Sequence, residues 1–129
     1  MRINSTLNVE VPLSPRKLCD IRPAYGKIFQ EYISDYDFWG FCDVDIIWGD
    51  IRKFITSSML SDFDIISSRK TNISGHFTIF RNIDRINNYY KTIPQYNYLL
   101  EQSKYMWSEE QVLSKHLIAQ IETKNTPRV

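Results

Sequence analysis

Phe38-Trp39-Gly40-Phe41-Cys42-Asp43-Val44-Asp45 is the stretch on which the fold turns. Its first five residues are apolar on both faces of an extended chain, the pattern of a strand buried between layers, and they run directly into two acids. The pattern predicts a central strand over residues 38–42 with Asp43 at its C-terminal end. Open α/β sheets bind ligands beyond such strand ends, so the acids fall where a site is expected.

Two carboxylates ending a buried strand are costly to desolvate unless something compensates them. A hard divalent cation is the natural compensation. Side chains at i and i+2 share one face of a strand, so Asp43 and Asp45 are expected to converge on Mn²⁺ or Mg²⁺, which take oxygen ligands and keep positions open for phosphates. The spacing alone is equally compatible with two solvated aspartates at a strand end.

Toward the amino terminus, Leu7-Asn8-Val9-Glu10-Val11 alternates like a short strand, and Pro12-Leu13-Ser14-Pro15 breaks it. From Pro23, a first-turn proline, Tyr25, Ile28, Phe29, Tyr32 and Ile33 fall on one helical face. Toward the carboxyl terminus, Ile46-Ile47-Trp48-Gly49 leads into a short helix over residues 50–55 capped by Asp50, then strands over residues 64–67 and 76–80. Asn82 is placed to cap a helix carrying Ile83, Ile86, Tyr90 and Ile93. Ser108-Glu109-Glu110-Gln111 has the form of a capping box, with Val112, Leu113, Leu117 and Ile121 as the apolar stripe behind it. The order β-α-β-α-β-β-α-α predicts an α/β fold, a mixed sheet flanked by helices.

A chain of 129 residues with 43% hydrophobic and 14% aromatic side chains can bury one core, so a single domain is expected over residues 1–129. The formal net charge of +1 lacks the basic excess of a nucleic-acid binder. Cys19 and Cys42 stand apart from any metal-ligand spacing and suit a reducing cytoplasm. Met1-Arg2-Ile3-Asn4-Ser5-Thr6 lacks the apolar stretch expected of a signal peptide, and no run approaches the ~18 apolar residues of a membrane span. A cytoplasmic protein is expected, with peripheral attachment to a membrane left open.

Several side chains are candidates beside the paired acids. Asp20 and Arg22 precede the first clear helix, where Asp20 can cap it and Arg22 can face solvent. His76 follows Gly75, where glycine permits close backbone approach and imidazole can bind metal, phosphate or sugar. Trp48, just beyond the acids, can stack on a sugar ring. Arg52, Lys53, Arg69 and Lys70 are candidate phosphate contacts, although solvation accounts for each taken singly. The capping box and the helix dipole explain Glu109 and Glu110 without chemistry.

Three segments, in order, resemble a family of largely uncharacterised bacterial glycosyltransferases associated with capsule or cell-surface polysaccharide synthesis. They are Lys17-Leu18-Cys19-Asp20-Ile21-Arg22-Pro23-Ala24-Tyr25-Gly26, residues 38–50 around Asp43-Val44-Asp45, and Gly75-His76-Phe77-Thr78-Ile79-Phe80-Arg81-Asn82. The resemblance implies a GT-A-like fold, a nucleotide-sugar donor, a saccharide acceptor and a divalent metal on Asp43 and Asp45. It also implies that Lys17, Asp20, Arg22, Trp48 and His76 lie on the donor side. Glu109-Glu110-Gln111-Val112-Leu113-Ser114-Lys115-His116 is similar to the Asp-Glu-x-x-Leu-Asn-Lys-Tyr run of blood-group-type retaining sugar transferases, which implies catalytic roles for Glu110 and Glu109 beside the reacting sugar. Glu109 for Asp and Ser114 for Asn depart from that run.

A full GT-A domain begins with a β-α-β unit that holds the nucleotide base, and this chain is expected to lack it, a partner chain being one source of the missing part. The expected activity is sugar transfer from a nucleoside diphosphate sugar. The alternative is a catalytically inactive fragment that binds saccharide or pairs with another chain. Nucleotidyl or phosphoryl transfer is less favoured, because no P-loop or basic triphosphate cradle is present.

Overall fold

A computed structural model describes residues 2–120 and 126–129. Among these the sheet has three strands, β1 (Phe38–Cys42), β2 (Ile65–Ser67) and β3 (Phe77–Arg81), in spatial order β1-β3-β2 with both pairings antiparallel. The fold is thus a small α/β structure, but its sheet is antiparallel where a mixed one is expected. The register pairs Cys42 with Phe77, so Asp43 leaves β1 beside His76, and the Asp43 N–H donates to the His76 carbonyl at 3.0 Å.

β3 holds the centre and β1 lies at an edge, contrary to the central, doubly covered strand expected from its apolar run. Only Trp39 and Phe41 are buried, while Gly40 and Cys42 are exposed. Trp39 stacks on Phe80 with ring centroids 4.5 Å apart, and its Nε1 donates to Asn87 Oδ1 at 2.7 Å. The second face reads as apolar for other reasons. At Gly40 an added Cβ would lie 2.6 Å from the Thr78 carbonyl, so glycine lets β1 approach β3. Phe38 sits under the Arg81 guanidinium, 4.9 Å from the ring centre. Asn82 N–H donates to Asp37 O and Asp43 N–H to His76 O, so by strand alternation Phe38, Gly40 and Cys42 direct their backbone groups toward the open edge.

The helices are short: α1 (Arg2–Leu7), α2 (Lys17–Asp20), α3 (Tyr25–Ile28), α4 (Gln30–Ile33), α5 (Ile51–Phe54), α6 (Ser57–Asp62), α7 (Asp84–Asn87), α8 (Tyr96–Glu101) and α9 (Leu113–Ala119). Residues 7–11 are not a strand. Asn8 adopts a left-handed conformation (φ 52°) and the Val9 N–H donates to Asn4 O at 3.3 Å, which closes α1 in a Schellman-type turn. The alternation of Leu7, Val9 and Val11 survives as burial without pairing.

The helix expected from Pro23 is broken at Phe29 into a 3₁₀ turn (Arg22–Ala24), α3 and α4. Asp50 precedes α5 but makes no capping hydrogen bond, whereas Thr56 Oγ1 caps α6 by accepting from the Met59 N–H. Asn82 does not cap a helix either. Its amide spans to the carbonyls of Ile33 and Tyr36, both at 2.7 Å, and fastens α4 to the end of β3. Ile121, expected on the last apolar stripe, lies outside the described residues.

The expected capping box over residues 108–111 is a π-helical turn (Ser108–Val112) led by Trp107 at φ 54°. Its first N–H is satisfied from far away in sequence. Asp20, fully buried, accepts from the N–H of Ser108 through Oδ1 and of Met106 through Oδ2, both at 2.9 Å. Lys17, also fully buried, donates to Asp20 Oδ2 at 3.0 Å and to the Leu99 carbonyl at 2.6 Å. The end of α8 and the π turn are thus moored to α2 through a desolvated ion pair.

Removing one member of such a pair strands the other's charge. Lys17→Met is expected to lower unfolding stability by about 3 kcal/mol, measured by urea titration. A loss below about 1 kcal/mol would show that the pair does not hold the two segments together.

Candidate functional site

The end of the sheet where β1 stops and β3 begins gathers side chains from four segments. Arg22 follows α2 on the 3₁₀ turn, with Pro23 behind it, and its side chain is mostly buried, at 13% exposure. The guanidinium lies over the Phe41 ring at 5.2 Å, donates through Nη2 to Asp43 Oδ1 at 2.9 Å and through Nη1 to the Gly75 carbonyl at 2.7 Å. His76 Nδ1 approaches the other Asp43 oxygen, Oδ2, at 2.6 Å. Burial pushes the Asp43 carboxyl up, but the hydrogen bonds from His76 and Arg22 outweigh it and hold the group below its ordinary value. Asp43 is therefore an oriented carboxylate with a cation on one side and an imidazole on the other.

Gly75 joins this cluster to Glu110. Its N–H donates to Glu110 Oε1 at 2.8 Å while its carbonyl takes Arg22, so one peptide segment is read from both sides by the two motifs. An added Cβ at Gly75 would stand 3.0 Å from Glu110 Oε1, tighter than ordinary contact, and 3.4 Å from Arg22 Nη1. A side chain here would make the Glu110 carboxylate shift by a few tenths of an ångström. Arg69 Nη1 reaches the same Glu110 oxygen at 3.5 Å. Glu110 therefore faces the Gly75–His76 junction, one peptide from Asp43's imidazole partner.

The remaining expected site residues divide. The chain leaves β1 at Cys42 and turns at Val44 and Asp45, so strand alternation does not bring the two aspartates onto one face. Asp45 is exposed and makes no hydrogen bond or ion pair with the described residues. Trp48 is half-exposed and meets the Phe77 ring edge-on at 5.0 Å, which leaves part of the indole open. Lys17 and Asp20 are enclosed in the mooring pair and saturated by the protein, so neither presents a group to a ligand in this conformation. No group of three His, Cys, Asp or Glu side chains among the described residues is arranged to hold an ion by protein ligands alone.

Glu109 points the opposite way from Glu110. It is buried, receives a hydrogen bond from the Tyr105 hydroxyl on Oε1, and its Oε2 has no partner. Burial pushes its carboxyl up, with Tyr105 offsetting only part of the effect. The N–H groups of Met106 and Ser108 carry no local signal in sequence, because they donate to Asp20, 86 and 88 residues away in the chain.

A carboxyl raised in the folded state binds more protons there than when unfolded, so its contribution to stability falls as pH rises from the ordinary value of 4.5 through the raised one. Glu109→Gln is expected to flatten the decline in stability as pH rises above the ordinary carboxyl value of 4.5, read by urea unfolding at several pH values. Identical slopes in the two proteins would mean that Glu109 is charged in the fold.

No curated protein and no solved structure matches this sequence. The match that does exist covers the sheet, the Gly75–His76 junction and the Glu110 turn together: over residues 1–128 the chain belongs to the Family of unknown function (DUF6625).

Proposed function

We propose that this domain is a metal-dependent glycosyltransferase of GT-A-like architecture, moving a sugar from a nucleoside diphosphate donor to a saccharide acceptor. The observation that carries the reading is the meeting of Asp43, His76 and Glu110 at the Gly75–His76 junction, at the end of the strand that bears the paired acids. Metal-dependent sugar transfer can use a cation-binding carboxylate near the leaving diphosphate and a further carboxylate near the sugar. Here the two kinds of acid are one peptide link apart.

The donor chemistry suits Mn²⁺ or Mg²⁺, with Asp45 unengaged and Asp43, whose two oxygens meet Arg22 and His76, joining it by exchanging the imidazole for the ion. Such ions are commonly held by one or two carboxylates, with water and substrate phosphates completing the shell, so a trio of protein ligands is not required. Asp43, ionised and oriented, and Asp45, with no competing partner, would hold the ion. When bound, it would neutralise charge on a leaving diphosphate. The chain's own groups do the rest: Arg22 keeps Asp43 in place, Glu110 presents a carboxylate to sugar hydroxyls, and the open part of the Trp48 ring offers a stacking face.

One observation favours a second reading. The open edge of β1 presents the backbone groups of Phe38, Gly40 and Cys42 for pairing, as a non-catalytic module that docks on another polypeptide would require. Incubation with a labelled nucleotide-sugar and saccharide acceptors separates the two, since the module binds without forming product.

Titration calorimetry with Mn²⁺ tests the metal directly. Binding is expected to be weak alone and to tighten at least about tenfold with UDP present, because the phosphates fill the open positions. Asp45→Asn is expected to abolish that gain. Unchanged binding in both conditions would remove the metal from Asp45.

A further inference from the structure

Of the four cations considered as phosphate contacts, Arg52, Lys53, Arg69 and Lys70, the structure separates one from the rest. Lys53 pairs with its exposed neighbour Asp50 at 3.5 Å, and Arg52 and Lys70 are exposed without a partner among the described residues. Arg69 alone is tied to the site, through Nη1 to Glu110 Oε1 at 3.5 Å. The contact is loose, and the Arg69 side chain keeps 43% exposure while Glu110 keeps 20%. Arg22, the other guanidinium of the cluster, is in the opposite condition: both Nη atoms are bound at 2.9 Å or less and its side chain is 13% exposed. It cannot turn to a ligand without releasing Asp43 and Gly75.

Of the two guanidiniums in the Glu110–Gly75 cluster, Arg69 is therefore the one available to an incoming anion. Glu110 already has a better donor than Arg69 in the Gly75 N–H at 2.8 Å, so it loses little if Arg69 departs. A diphosphate offers a guanidinium two or more oxygens in the planar, bidentate arrangement that this group prefers.

We propose that Arg69 is a diphosphate-binding residue held in reserve by Glu110: an anionic ligand draws Arg69 away and leaves the Glu110 carboxylate, anchored on Gly75, free for a sugar hydroxyl. The proposal rests on the transferase reading for the identity of the anion. It adds a coupling that the reading does not contain, because Glu110 and the diphosphate compete for the same guanidinium. Removing Glu110 should then strengthen diphosphate binding, whereas a carboxylate that helped to bind the donor phosphates or their metal would weaken it when removed.

The test is calorimetry in the presence of Mn²⁺ with two probes, inorganic diphosphate and UDP, on the wild type, Arg69→Ala, Glu110→Gln and the double variant. Arg69→Ala is expected to weaken both probes about tenfold, the loss of one charge-assisted bidentate contact. Glu110→Gln, nearly isosteric, is expected to tighten both about two- to fivefold, and the gain should vanish in the double variant. If diphosphate and UDP change alike, the phosphates alone are the shared ligand; a change for UDP only would place Arg69 on the nucleoside and overturn the proposal. Wild-type affinity that survives Arg69→Ala, or a Glu110→Gln variant that binds more weakly, also overturns it while leaving the transferase reading standing. If the wild type binds neither probe, both fall together.

Discussion

Lys17 and Asp20 are withdrawn from water completely, and the ion pair they form is the constraint on which the site depends. Their desolvation is unfavourable, and it is offset only because every strong group is used. Asp20 takes the lysine and two backbone N–H groups, while Lys17 also takes the Leu99 carbonyl. Those bonds reach from α2 to the far end of the sequence. They set where the π turn begins, so that Glu110 faces the sheet and Glu109 faces the interior. Tyr96 adds a buried hydroxyl bond to the Asp20 carbonyl at 2.7 Å, from the same α8 that Lys17 holds.

A second constraint acts at the sheet. Antiparallel pairing of β1 with β3 in the observed register makes Asp43 and His76 neighbours across the ladder, independently of any ligand. Arg22 then bridges Asp43 to the Gly75 carbonyl, and the Gly75 N–H bridges to Glu110. Segments near residues 22, 43, 75 and 110 are thereby joined through one small peptide, bonded on both its N–H and its carbonyl. A counterpart of purely structural character lies at the other end of β2, where buried Asp64 is enclosed by Arg81 and Arg85 at 3.2 and 2.9 Å and by the Arg128 backbone at 3.0 Å. Acids inside arginine clusters are therefore not sufficient to mark a site. At the first cluster the imidazole and half-open carboxylates are what differ.

The strands were legible in sequence because their apolar runs are bounded by polar connections, and the junction of an apolar run with two acids located Asp43 correctly at a strand end. Pairing order was not legible. A strand of five residues reads as two-faced when glycine and a half-covered Phe38 stand on its second face, so an edge resembled a centre. Leu7, Val9 and Val11 alternate as strand residues do, and only the left-handed Asn8 shows that the alternation serves packing. The residues 108–111 looked self-capping because Ser and Glu occur at helix starts, yet the cap comes from Asp20. Long-range satisfaction of backbone groups leaves no periodic trace, and for that reason Lys17 and Asp20 read as ligand residues when they are enclosed. Glu110 and His76 stood out only through resemblance to sugar transferases, since a lone acid and a lone imidazole have no spacing to betray them.

The central claim is that one ligand site spans the acids after β1 and the Gly75–His76 junction. Paramagnetic broadening of backbone amide signals by Mn²⁺, in the presence of UDP, measures its position most directly. The account predicts loss of signal centred on residues 43–45 and 75–76, extending to Glu110, with the amides around Asp64 and Arg128 retained. Broadening centred on another part of the chain, or none at Mn²⁺ concentrations that saturate a UDP complex, would contradict it.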